Sequence, residues 1–207
     1  MTPRPVISFM IPLAFVILLA APGCTTMAVG AAGTTAVAAA QERTIGDAID
    51  DSLIYTEVNH HLLQADIDLF RDVGVKVVEG RVLLTGSVPT PDDRIEAVRL
   101  AWQADGIKEM INELQVTDDS GVVDYAKDIW ISAQLKTRLL FDEQIHAINY
   151  NVETVNGSVY MIGIAWDRAE LERATNHART IKGVRKVISH VRLKNAPRVN
   201  SPDSATQ

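Results

Sequence analysis

The chain has 207 residues, of which 47% are hydrophobic, 22% charged and 5% aromatic. That places it among globular proteins of one large or two small domains and excludes wholesale disorder. A single cysteine, Cys24, excludes both an intramolecular disulfide framework and a cysteine-rich zinc site, and a net charge of −6 argues against a nucleic-acid partner.

Met1 to Pro5 carries Arg4 and leads into an apolar run, Val6 to Ala21, that closes with Ala21-Pro22-Gly23-Cys24. The run is short for a bilayer span, is interrupted by Pro12 and Pro22, and has no basic stop-transfer flank. Residues 1–23 are therefore expected to be a secretory signal peptide. Small residues directly before the only cysteine resemble a lipobox, with Ala21 where leucine is usual. The resemblance implies cleavage before Cys24 and acylation of its thiol and new amino group. Several acyl chains, at ~0.8 kcal/mol per buried methylene, hold a protein on a membrane far more firmly than one. Thr25 is not the aspartate that resembles an inner-membrane retention signal, so the same resemblance implies the outer membrane, facing the periplasm. Residues 24–44, rich in Ala, Gly, Thr and Val, read as the acylated cysteine and a flexible tether.

A shift of 77 residues aligns positions 51–118 with 128–195 without a gap and with 13 identical pairs. The chain is an internal duplication. Within each copy, Ile54, Val58 and Leu62, matched by Ile131, Leu135 and Leu139, recur every four residues as the stripe of an opening helix. Val73 to Val78 and Arg81 to Val88 are β-branched runs joined at Glu79-Gly80. Asn156-Gly157, at the same place in copy two, is a strong hairpin signal. Pro91 with Asp92 and Asp93 opens a second helix bearing Ala97 and Ala101 on one face, and Gly106 or Gly183 ends it as a left-handed cap. Gly86 and Gly163 lie inside strands, where close approach of other backbone or of the small Ala97/Ala101 helix face explains them. Ile107 to Val116 and Val184 to Leu193 read as closing strands. The fold expected is α+β: two tandem αββαβ domains, 45–118 and 125–195, each a small three-stranded sheet packed by two helices. A linker, 119–124, joins them, and a disordered tail, 196–207, follows.

The order helix, hairpin, helix, strand, with Glu-Gly or Asn-Gly at the turn, Gly86 and Gly163 six residues on, and the endings Gly106 to Ile111 and Gly183 to Ile188, resembles the BON domain. Two such units behind a lipobox, with Arg43-Thr44-Ile45-Gly46 and Asp50-Asp51 before the first helix, are similar to the dual-BON outer-membrane lipoproteins related to the osmotically inducible periplasmic proteins. The resemblance implies a phospholipid-binding, non-enzymatic envelope protein that supports outer-membrane integrity. Gly80, Gly86, Gly106, Gly157, Gly163 and Gly183 read as structural positions from their places in turns, caps and strands.

Charge is divided between the copies: residues 42–118 carry net −9 and residues 125–195 net +4. A basic copy is attracted to an anionic bilayer by roughly 1 kcal/mol per well-placed Lys or Arg. On a helical wheel of Tyr125 to Phe141, the side opposite the core stripe holds Ile129, Trp130, Ala133, Thr137, Leu140 and Phe141, flanked by Lys127, Lys136 and Arg138. Copy one is more polar there, with Ser52, Leu53, Thr56, His60, Leu63 and Gln64. Aromatic rings bordered by cations suit a membrane interface. The same face also suits packing against copy one; the charge split and the resemblance favour lipid. The lipid-contact set is thus Lys127, Ile129, Trp130, Lys136, Thr137, Arg138 and Phe141, with anionic phospholipid as partner. The alternative is an adaptor docking an envelope protein on the acidic copy.

No G-x-G-x-x-G, Walker A, H-E-x-x-H or G-x-S-x-G motif is present. No cofactor and no metal site is expected. His60 and His61 are adjacent on a helix, point about 100° apart and read as solvent-exposed. His146, His177 and His190 fall on different elements with no paired acid or cysteine to complete a ligand set. Trp102 and Trp166 are each open to an inter-domain role.

Overall fold

Thr44 caps the first helix, so Ile45, Gly46, Asp50 and Asp51 lie inside it and not before it as expected. Its hydroxyl accepts the Asp47 N–H at 3.0 Å, and the Asp47 carboxylate takes the Thr44 N–H at 3.2 Å, a capping box that satisfies two otherwise orphaned donors. The computed structural model describes residues 44–117 and 122–196. The expected signal peptide, Cys24, nearly all of the tether, residues 119–121 of the expected linker and the tail after residue 196 lie outside the described residues, while residues 122–124 of that linker belong to the opening helix of copy two. Copy one runs α1 (Ile45–Ala65), α2 (Ile67–Asp72), β1 (Val73–Val78), β2 (Arg81–Val88), α3 (Pro91–Ala101), β3 (Glu109–Asn112) and β4 (Gln115–Val116). Copy two runs α4 (Val122–Leu140), a 3-10 turn (Ala147–Asn149), β5 (Tyr150–Val155), β6 (Ser158–Ala165), α5 (Arg168–Arg179) and β7 (Lys186–Leu193).

Each sheet is mixed. β1 pairs antiparallel with β2, and β3 and β4 both lie parallel along the other flank of β2. In copy two, β5 is antiparallel and β7 parallel to β6, with Ser158 opposite Lys186 and Ala165 opposite Leu193. The helices cover one face of each sheet. Ile54, Val58 and Leu62 of α1, with Ala97 and Ala101 of α3, are buried on Val75, Val82 and Leu84. Ile131, Leu135 and Leu139 of α4, with Ala174 and Ala178, repeat the arrangement on Val152, Val159 and Met161.

Two local departures from the αββαβ expectation occur in copy one. The chain makes an extra short helix, α2, because the Asp66 carboxylate accepts the Asp68 N–H at 2.7 Å and Leu69 is drawn into the core. The closing strand is split because the Asn112 side chain accepts the Leu114 N–H at 3.1 Å, a local bond that competes with the ladder.

At the matched strand positions Gly86 and Gly163, an added Cβ would lie 1.9 Å from the Asp72 carbonyl oxygen and 2.0 Å from that of Asn149. The nearest atoms belong to backbone entering the neighbouring strand, not to the Ala97/Ala101 helix face. Backbone at that distance cannot yield, so only glycine fits.

The face of each sheet turned away from its helices meets the other sheet. Val78, Leu83 and Ile111 form one buried cluster with Tyr160, Ile162 and Ile164. The layers are therefore helix, sheet, sheet, helix, and the contact between domains is made by strands. The run Ser158 to Ala165 is apolar on both faces for this reason.

A matched pair of acids ties each hairpin to its opening helix. Asp51 accepts the Glu79 and Gly80 N–H groups at 2.9 and 2.7 Å, and Asp128 accepts those of Asn156 and Gly157 at 2.5 and 2.8 Å. Both carboxylates are buried, and both turns hold a non-glycine residue at positive φ, Glu79 at 56° and Asn156 at 49°. Asp128→Ala is expected to lower stability by about 2 kcal/mol, since two turn N–H groups lose their acceptor. Denaturant unfolding checks this, and a loss below about 0.5 kcal/mol would contradict the assigned role.

Candidate functional site

Helix α4 buries Asp128, Ile131, Leu135 and Leu139, all on one side. The 3.6-residue repeat then forces Ile129, Trp130, Ala133, Thr137 and Leu140 outward. They stay in solvent: Ile129 is 53% exposed, Trp130 51%, Leu140 71% and Phe141, just past the helix end, 80%. The inter-domain seam is built from strand faces, so the aromatic face of α4 is not covered by copy one. Lys127 and Lys136 are exposed on opposite flanks of this apolar band, and the Lys127 stem passes close by Gly183.

Arg138 is placed differently from the two lysines. Its guanidinium donates to the Thr180 hydroxyl at 2.9 Å and to the His177 carbonyl at 3.4 Å, which pins the end of α4 to the end of α5. The Thr137 hydroxyl donates to the Ala133 carbonyl at 2.9 Å. Beside them, Arg138, Phe141, Asp142, Arg173 and His177 line an open groove. The exposed band of lysines and rings can take up a headgroup layer with the rings at the apolar boundary and the ammonium groups among phosphates.

Asp142 organises that groove. Its carboxylate lies 2.7 Å from His177 Nε2, accepts the Gln144 N–H at 3.0 Å and lies 3.7 Å from Arg173. The His177 hydrogen bond, followed by that from Gln144, holds the Asp142 carboxyl below the ordinary aspartate range. A depressed folded value contributes stability above the unfolded pKa that is lost as pH falls through the folded one. Between about pH 5 and pH 2, Asp142→Asn should therefore show a flatter fall of the thermal midpoint than the parent; parallel curves would remove this assignment.

His146 and His190 each also meet a single acid. His146 Nδ1 is 3.3 Å from Glu170 Oε2, and His190 Nε2 is 2.9 Å from Glu113 Oε1. These partners are 24 and 77 residues away in sequence, beyond what local spacing reveals. His60 is exposed as expected, while His61 is partly buried. Among the described residues no group of three or more His, Cys, Asp or Glu side chains is placed to hold a metal ion. Trp102 and Trp166 are both about half exposed and outside the seam cluster. Trp166 stacks on His146 at 5.6 Å and lies 3.5 Å under the Lys194 ammonium.

Copy one is not simply a polar version of copy two. Ile49, which lies one turn before Leu53, is exposed together with Leu53 and Leu63. Asp47, Asp50 and Glu57 surround Leu53 in an acidic cleft, where copy two has lysines around Trp130. The two equivalent helix faces thus present opposite charge around an apolar strip.

Among the described residues no helix is long and apolar enough to cross a membrane. The family model for the BON domain matches residues 50–118 and 127–195. The chain is 32% identical over 168 residues to the "Outer membrane lipoprotein DolP" of Haemophilus influenzae, covering 80% of this chain and 86% of that protein. It is 44% identical over 149 residues to an Anaplasma centrale protein described as "Uncharacterized protein in gshII 5'region", covering 72% and 97%. It is 30% identical over 152 residues to "Osmotically-inducible protein Y" of Escherichia coli, covering 72% and 76%.

Proposed function

The chain belongs to the BON-domain family, which it represents with two tandem domains, and from that premise we propose an envelope lipoprotein that binds anionic phospholipid through helix α4. Anchored by acyl groups on Cys24 to the outer membrane and facing the periplasm, it supports envelope integrity without catalysing a reaction. The observation that carries the reading is the outer face of α4: Trp130, Ile129, Leu140 and Phe141 exposed side by side, with Lys127 and Lys136 on the two flanks. An exposed apolar patch edged by cations needs an occupant, and a bilayer surface supplies both a hydrocarbon boundary and phosphates. The description of one relative as an outer membrane lipoprotein supports the anchor and the compartment. Copy one, acidic and bound through its sheet, braces copy two and keeps α4 turned outward.

Cosedimentation of residues 42–207 with vesicles tests this without the acyl anchor. Binding to phosphatidylglycerol vesicles, absence of binding to phosphatidylcholine vesicles and weakening by salt are expected. Equal binding to both vesicles, or binding to neither, would contradict it.

A further inference from the structure

The shift of 77 residues that aligns the copies also relates the contacts between them. Across the seam, Glu79 pairs with Arg192, and the Asn156 amide donates to Gln115 Oε1 at 3.0 Å. Positions 79 and 156 are equivalent, and so are 115 and 192, so this is one contact made twice with the domains exchanged. Strand packing is reciprocal in the same way: β1 meets β6 and β2 meets β5. The buried cluster draws on the equivalent pairs Val78 and Val155, Leu83 and Tyr160, Ile111 and Ile188. An interface in which i meets j while j meets i is isologous, the kind made by a two-fold dimer. Here it is carried inside one chain.

Only on the rotation axis does a two-fold interface set a residue against its own counterpart. Two contacts do this: Lys76 Nζ lies 3.3 Å from Glu153 Oε2, and Glu113 Oε1 lies 2.9 Å from His190 Nε2; each pair is separated by 77 positions. A dimer of copy one with itself would place Lys76 against Lys76 and Glu113 against Glu113. Neither clash exists in this chain, because copy two carries an acid opposite the lysine and an imidazole opposite the glutamate. Like charges held together at an interface cost affinity, and opposite ones select the partner.

We propose that these axis residues are a pairing code: the sheet face of copy one is an interaction surface for copy two and rejects a second copy one. Its partner is a BON domain with an acid opposite Lys76 and a group able to carry positive charge opposite Glu113. The apolar cluster supplies adhesion common to all pairings, and the axis supplies the choice between them. The Arg81 guanidinium lies beside the second axis pair, donating to the His190 carbonyl at 2.9 Å while it pairs with Glu109 at 2.6 Å.

Thermal unfolding of the full chain tests the code. E153K with H190E gives copy two both axis residues of copy one and so imitates self-pairing within an intact chain. The midpoint is expected to fall by about 4–8 °C, which for a folded unit of this size is a modest interface penalty. Adding K76E and E113H restores both pairs with their polarity reversed, and most of the loss should return. Because the rescue carries more substitutions than the variant it repairs, general damage cannot produce it. A midpoint unchanged by E153K with H190E, or a fall that the added pair does not reverse, would overturn the proposal.

Discussion

Replacing Trp130 by glutamate is expected to weaken binding to phosphatidylglycerol vesicles by more than about tenfold, with the thermal midpoint kept within about 2 °C. Trp130 is half exposed and opposite the core stripe of α4, so folding gains little from its ring. On a bilayer the same ring would be buried at the headgroup boundary, and a tenfold loss corresponds to only about 1.4 kcal/mol. Glutamate removes that burial and sets a negative charge against anionic lipid, two effects of the same sign. Titration with vesicles, with circular dichroism as the folding control, reads both quantities. Undiminished binding by a folded variant would remove α4 from the membrane contact.

The largest stability effect is expected at Arg192. Its guanidinium pairs with Glu79 across the seam, and both side chains are almost fully buried, 11% and 5% exposed. It also donates to the Leu193 carbonyl at 2.9 Å and the Lys194 carbonyl at 3.2 Å. Arg192→Met takes the guanidinium away from a carboxylate that stays buried, a loss of about 3–5 kcal/mol for a buried pair. The midpoint should fall by roughly 10 °C. Adding Glu79→Gln should recover a large part, because the costly state is the buried charge and not the missing attraction. A drop under about 2 °C would mean that the Glu79–Arg192 pair contributes little to holding the domains together.

How far the sequence exposes this architecture depends on the range of each interaction. β1 and β2 are bounded by local signals, β-branched runs and a glycine turn, and they occur at Val73–Val78 and Arg81–Val88 as the runs indicate. The stripe of α4 follows from the helical repeat, and its outer face is likewise read from one wheel. The sheet-to-sheet seam is harder, since a strand apolar on both faces reads the same whether a helix, a second sheet or a membrane covers it; the doubly apolar run of β6 was the available signal. Asp51 and Asp128 look like two ordinary surface acids. Only their identity across the repeat hints at a shared duty, because the N–H groups they accept are 28 and 29 residues away. Arg138 on the wheel is one more flanking cation, and its bond to Thr180 arises from the meeting of two helix ends 42 residues apart. The axis pairs require both the repeat and the three-dimensional rotation, so neither sequence nor a single domain displays them.

In the proposed function the outer face of α4 enters the lipid interface. The most direct test leaves Trp130 as the sole tryptophan by changing Trp102 and Trp166 to phenylalanine, then measures its emission with phosphatidylglycerol vesicles containing lipids brominated at graded depths along the acyl chain. A blue shift, with strongest quenching by bromines nearest the headgroups, is the predicted result. Binding of this variant to the vesicles with Trp130 emission neither shifted nor quenched would contradict the claim.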